Sequence, residues 1–211
     1  MKQLIIIGAR AYGREVYNSA KESIGYNEEF IIKGYLDDKT DALKDFVGYP
    51  PIIGPVESYK VQQDDVFICA LGSVIYKEKY VNLIKEKGGK FINLIHKTVG
   101  IPKNLQIGEG CIICRDTILS CDIKIGNFNT IQSLVILGHD VEIGNFCQIN
   151  SFSFMGGFVK IGSYVTVNPN STIIPHIKVQ NNVTIGAGSV VIKNVKQGTC
   201  VFGNPAKKIE L

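Results

Sequence analysis

Only three of the 211 residues are histidines, His96, His139 and His176, and one stands directly before a carboxylate, in Gly138-His139-Asp140. Imidazole is the side chain best suited to take and return a proton near neutral pH. An adjacent carboxylate can orient such a ring and stabilise its charged form; the bland alternative is a hydrogen-bonded turn histidine beside a turn-forming Asp. Gly156-Gly157 follow one turn of the chain later and either allow close backbone approach to a ligand or simply make a turn. Near the start, Gly8-Ala9-x-x-x-Gly13 has the glycines of a strand-to-helix loop whose N–H groups and helix N-terminus can hold a diphosphate. A tight turn is the other reading. Asp37-Asp38 and Gly72-Ser73 end two further apolar runs. Lys193, Lys196, Lys207 and Lys208 form a basic cluster that suits a phosphate or plain solvation.

The elements that must position these residues are written as periodicities. Seventeen residues spaced six apart, from Ile95 to Val191, are all aliphatic or Met. Neither a helix nor a simple strand repeats every six residues; a coil of three short strands does, with one apolar side chain from each side pointing inward. A second inward register, four residues on, carries small or β-branched types such as Cys111, Thr117, Cys147, Ser153 and Ser171, which would let the chain turn tight corners. Ile-Gly pairs at 107, 125, 143 and 161 recur every eighteen residues, one full triangular turn. Roughly five coils follow, about 25 Å tall at the usual strand spacing. Phe128, Phe146, Phe152, Phe154, Phe158 and Tyr164 fall at non-inward positions, and self-association is the natural cover for them.

Residues 1–92 differ in texture. Apolar runs at 3–7, 30–36, 65–71 and 90–94 alternate with helical stretches at 13–23 and 75–86, which predicts a small, three-layer, parallel α/β domain. Its strands end at Gly8, at Asp37-Asp38 and at Gly72, and ligands to such sheets sit outside the strand carboxyl ends.

Bulk properties narrow the classes. A net charge of +4 without basic blocks does not indicate nucleic acid. No apolar run reaches membrane-spanning length or forms a signal h-region. The six cysteines show no secreted framework, and the lone Cys111-x-x-Cys114 lacks a second pair, which argues against zinc. A reduced, cytoplasmic protein is expected.

Over 95–211 the hexapeptide pattern resembles the left-handed β-helix of acyltransferases that use acetyl-CoA. With Gly8-Ala9-x-x-x-Gly13, Tyr35-Leu36-Asp37-Asp38, the run 68–73, Asn93-Leu94-Ile95-His96-Lys97 and Gly138-His139-Asp140, the whole chain resembles the sugar O/N-acetyltransferases. The sialic-acid O-acetyltransferase and the UDP-4-amino-sugar N-acetyltransferase of bacillosamine synthesis typify them. The resemblance implies a Rossmann-like nucleotide-sugar domain (1–92), an all-β left-handed parallel β-helix (93–195) and a C-terminal tail near the coenzyme (196–211). It further implies a homotrimer with acetyl-CoA between neighbouring β-helices, and no metal.

By that resemblance His139 is the general base, Asp140 its orienting partner, and Gly157 donates its N–H to the acetyl carbonyl. Pro169 and Ala187 lie along the pantetheine, with Gln148 and Lys193 also on the acetyl-CoA path. Gly8, Ala9, Arg10, Tyr12, Gly13, Asp37, Asp38, Gly72 and Gln132 match substrate positions, the two aspartates at the nucleobase. Tyr12 stands where the amino-sugar enzyme has His, and Gln132 and Gln148 where it has Asn and His. Those departures leave open whether nitrogen or oxygen is acetylated. They also keep a sialic-acid-type O-acetyltransferase and a non-catalytic sugar-nucleotide-binding protein as alternatives. An NAD-dependent oxidoreductase is disfavoured because about 92 residues are too few for the full dinucleotide fold. A metal-dependent hydratase is disfavoured because His139 and His176 are out of phase with two coils.

Overall fold

The computed structural model describes residues 1–210. The chain divides into two compact units, Met1–His96 and Lys97 onward.

The first unit contains β1 (Lys2–Ile7), α1 (Ala11–Lys21), β2 (Phe30–Leu36), β3 (Ile52–Gly54), β4 (Asp65–Cys69), α2 (Val74–Glu86) and β5 (Lys90–Phe91). The strands form one parallel sheet in the order β3-β2-β1-β4-β5. Leu4 to Ile7 and Val66 to Cys69 are buried, as expected for strands covered on both faces. The order reverses between β1 and β4, so a crevice opens at their carboxyl ends. At the other end of β4, Asp65 is fully buried. It accepts hydrogen bonds from Lys33 Nζ (2.7 Å), Tyr59 OH (2.7 Å) and Gln62 N (2.8 Å), tying β2 and the 55–62 segment to the sheet.

The second unit is the left-handed parallel β-helix. Two-residue strands stack in three sheets with partners eighteen residues apart, as in Lys124↔Glu142 and Ile125↔Ile143. The second residue of each pair points inward: Ile125, Ile131, Leu137, Ile149, Met155 and Val167 are all buried. The inward small residues do more than make room. Cys111 Sγ, Thr117 Oγ1, Asn129 Nδ2, Cys147 Sγ, Ser153 Oγ and Ser171 Oγ each donate to the carbonyl fifteen residues on. Corner carbonyls that the sheets leave unpaired are thereby satisfied.

Corners are set by a left-handed residue at every sixth position, from Asn104 (φ 61°) through Asp122, Phe128, Asp140, Phe158 and His176 to Gly188 (φ 68°). Here the aromatic expectation is corrected in part. Phe128 is buried, and Phe128, Phe146 and Tyr164 cover one another in a ladder with centroids 5.0 and 5.6 Å apart. Only Phe152, Phe154 and Phe158 remain exposed. The C-terminal tail adds to one of the sheets. Cys200–Phe202 pairs parallel with the strand at Thr184–Ile185, and Lys207–Ile209 returns antiparallel to it.

The three outer faces differ in character. One carries Lys124, Glu142, Lys160 and Lys178, with Glu142 paired to both Lys124 (3.5 Å) and Lys160 (3.2 Å). A second presents Gln148, Thr166 and Thr184, with Thr130 in the same row but buried. The third is apolar, with Ile118, Ile136 and Phe154 exposed and Leu134 and Phe152 at its edge.

Candidate active site

Positions eighteen apart form vertical columns along the β-helix, so the coil arithmetic decides which residues share a corner. His139 and Gly157 share one, with Cys121 below and Pro175 and Lys193 above. His139 is exposed, and its Nδ1 lies 2.8 Å from Asp140 Oδ2. A carboxylate only accepts, so Nδ1 carries a proton, and in the neutral ring the Nε2 lone pair is left free. That edge of the ring lies over Gly157: a Cβ built there would be 2.6 Å from both Cε1 and Nε2.

The amide of Gly157 is the second half of the arrangement. At the neighbouring column the corner N–H groups are capped by a side chain one coil on. Asn127 N donates to Asn145 Oδ1 (2.7 Å), Asn145 N to Ser163 Oγ (3.0 Å) and Ser163 N to Asn181 Oδ1 (2.8 Å). Above Gly157 stands Pro175, which has no such acceptor. Gly157 N–H therefore finds no partner among the described residues, while its carbonyl accepts from His176 N (3.0 Å). An unpaired N–H beside a proton-accepting nitrogen is the pairing that acyl transfer requires.

The remaining expected coenzyme and acceptor residues do not join His139 within one chain. Pro169 and Ala187 share a different column and are exposed. Gln132 and Gln148 lie on the approach to that corner, where Gln132 Oε1 accepts from Ser151 N and Oγ (3.3 Å each) and Gln148 Nε2 donates to Asn150 Oδ1 (3.0 Å). The strands of the apolar face run from the Pro169 corner to the His139 corner. The two half-sets thus border opposite edges of the one exposed apolar face. Lys193 is on the His139 column, three coils above it and exposed.

In the first unit a 500 Å³ cavity opens at the carboxyl ends of β1, β2 and β4. Of the expected residues it is lined by Gly8, Arg10, Tyr12, Gly13, Asp37, Asp38 and Gly72. Ala9 is buried beneath it, and its N–H is spent on Asp37 Oδ2 (2.9 Å). Gly13 is required for packing, since any side chain there would strike the Gly8 carbonyl. No side chain caps α1, whose N-terminus begins at the cavity. The two aspartates part company: Asp37 is buried, with its other oxygen on Lys39 N (2.9 Å), and so shapes the loop. Asp38 is exposed and accepts from Tyr80 OH (2.6 Å) and Val56 N (3.4 Å). The hydrogen bond to Asp38, then burial, pushes the Tyr80 phenol up to about 12. Sequence reasoning missed Tyr76 and Tyr80, both lining residues; their i, i+4 spacing at the start of α2 was the available signal. Under the cavity, burial pushes the Cys69 thiol up to about 12, so it is no nucleophile. No group of three or more His, Cys, Asp or Glu among the described residues is placed to hold a metal.

Residues 3–84 match the PglD N-terminal domain model and residues 92–187 the GMPPB C-terminal domain model. PerB from Caulobacter crescentus, solved with CoA and GDP-perosamine, superposes with a TM-score of 0.88 at 20% identity, covering 100% of this chain and 98% of that one. The chain has the fold of the sugar N-acetyltransferases. The acetyltransferase domain of PglB from Neisseria gonorrhoeae gives 0.89 at 23% identity, over 99% and 100% of the two chains. WeeI from Acinetobacter baumannii gives 0.67 at 21%, over 99% and 100%. No curated protein sequence matches the chain. No described helix is long and apolar enough to cross a membrane.

Proposed function

We propose that this protein transfers acetyl from acetyl-CoA to an amino group of a nucleotide-linked sugar, as a cytoplasmic homotrimer. The observation that carries the reading is the Nε2 edge of His139 resting over Gly157, whose N–H has no partner among the described residues. His139 Nε2 removes the proton as the sugar amine attacks the thioester carbonyl, and Asp140 stabilises the imidazolium. Gly157 N–H receives the negative charge that develops on the carbonyl oxygen. The proton then passes from Nε2 to the departing thiolate, and no acyl-enzyme forms. That PerB is solved with CoA and GDP-perosamine, and PglB with acetyl-CoA, supports the choice of both substrates. The cavity at Gly8, Arg10 and the α1 N-terminus suits the diphosphate, with Asp38 and Tyr80 at the base.

Trimerisation completes the site. The exposed apolar face has His139 on one edge and Pro169 and Ala187 on the other, so a heterologous ring brings the two edges together between neighbours and buries the apolar residues. The pantetheine arm then runs along that seam, with Lys193 near its phosphate end.

The test is incubation with acetyl-CoA and a panel of UDP-, GDP- and dTDP-linked amino sugars, read by product mass and thiol release, alongside sedimentation. One panel member gaining an acetyl group, from a trimeric enzyme, is the expected result. Absence of thiol release across the panel, or a stable monomer, contradicts the reading. A hydroxyl acceptor is the second reading, since Gln132 and Gln148 are held by neutral hydrogen bonds and supply no second base.

A further inference from the structure

The His139 imidazole is hydrogen-bonded only to Asp140, and that carboxylate in turn has no other donor among the described residues. Two exposed side chains joined in this way hold each other loosely. A base must nevertheless aim its lone pair at one proton, and an error of about 1 Å costs about a hundredfold in rate. Something else has to fix the plane of the ring.

Phe158 is placed to do so. Its centroid is 5.0 Å from that of His139, at an interplanar angle of 87°, the edge-to-face geometry favoured by aromatic quadrupoles. Phe158 N also donates to the His139 carbonyl (3.0 Å), which ties the two residues through the backbone. Phe158 is itself backed by His176, stacked on its far side at 5.0 Å and 7°. At the other aromatic corner the rings are the left-handed residues themselves, and Phe146 and Tyr164 stack nearly parallel, at 1°. At this corner the left-handed residue is Asp140, the ring comes from the residue before it, and the imidazole is turned across the ladder.

We propose that Phe158, supported by His176, is a positioning residue that fixes the orientation of the His139 imidazole. This rests on His139 being the base, and the experiment separates the two ideas. Side-chain nitrogen and carbon spectra of the three histidines, assigned with His96→Gln and His176→Gln, are compared for wild type, Phe158→Tyr and Phe158→Leu. Sedimentation and melting are recorded in parallel. In wild type and Phe158→Tyr, His139 is expected as the single Nδ1–H tautomer with a ring-current shift at Cε1–H. In Phe158→Leu that shift disappears and the tautomer signals average, with the assembly intact. With the amino-sugar nucleotide that wild type acetylates, Phe158→Leu lowers kcat about 10- to 100-fold, leaves the KM for acetyl-CoA within about twofold, and Phe158→Tyr restores kcat. Unchanged His139 signals in Phe158→Leu overturn the positioning role, whatever the catalytic outcome. Full activity in His139→Ala overturns the base assignment and leaves the spectroscopic result standing as a statement about ring orientation alone.

Discussion

Replacing Gly157 by Ala isolates the geometry of the base from everything else at its corner. The added Cβ falls 2.6 Å from His139 Cε1 and Nε2 and 3.2 Å from Cδ2. Carbon contacts are comfortable at about 3.5 Å, so the ring has to recede by roughly 0.9 Å. The backbone at Gly157 is one that L-residues adopt, and Ala keeps the peptide N–H, so neither strain nor loss of that donor intervenes. The atoms struck belong to the outer end of an exposed side chain, which swings away at little folding cost. A displacement near 1 Å costs about a hundredfold, or about 2.7 kcal/mol of barrier. Thiol release from acetyl-CoA with the acceptor saturating measures it, with melting temperature as the control for folding. Gly100→Ala, whose Cβ meets nothing within 4 Å, is the matched neutral substitution. A Gly157→Ala enzyme with kcat within threefold of wild type refutes the placement of the imidazole. A loss accompanied by a collapsed melting temperature refutes the claim that the effect is local.

Asp140→Asn offers an amide donor to Nδ1, which favours the tautomer with its proton on Nε2; kcat should fall about a hundredfold, read as the kcat–KM split. Tyr80→Phe removes the hydroxyl that holds Asp38, and should raise the KM for the nucleotide sugar about fivefold with kcat unchanged. Because the Tyr80 phenol is pushed up to about 12, that KM ratio should stay flat with pH to about 10. Asp65→Ala strips Lys33 and Tyr59 of a buried partner and should cost about 3 kcal/mol, a fall of roughly 12–24 °C in the melting of the first unit. Burial lowers the Lys33 pKa, but the hydrogen bonds to Asp65 and Tyr59 outweigh it and leave it raised. A cation whose pKa rises on folding stabilises below its unfolded value and loses that contribution as pH climbs through the folded one. Denaturant titrations should therefore show wild type weakening above about pH 10, with Asp65→Ala lacking that step.

The six-residue period was legible because burial of one aliphatic per side is a local demand that repeats: every position from Ile113 to Val191 in that phase is buried, whereas the expected inward Ile101 is exposed and Ile95 and Ile107 are half-buried. The left-handed corners carry Asn, Asp or Gly at about half their positions and Phe, Leu, Tyr or His at the rest, so residue type alone hides them. Stacking against the coil eighteen residues away enforces them. For the same reason the sequence pattern left Phe128, Phe146 and Tyr164 looking uncovered, when each is the cover of the next. The adjacent carboxylates Asp37 and Asp38 are indistinguishable as letters. One turns inward to hold Ala9 N and the other outward to Tyr80, a division set by the loop's tertiary path. Which expected residues share a corner was available as arithmetic in eighteens: His139, Gly157 and Lys193 are congruent, as are Pro169 and Ala187.

Central to all of this is that His139 accepts the proton of the attacking amine. The most direct measurement is the rate of thiol release from acetyl-CoA, with the amino-sugar nucleotide that wild type acetylates as acceptor, for wild type and His139→Ala at matched assembly state. A loss on the order of a thousandfold in kcat, with melting temperature and acetyl-CoA affinity preserved, is the expected result. Retention of kcat within tenfold of wild type contradicts a proton-accepting role for His139.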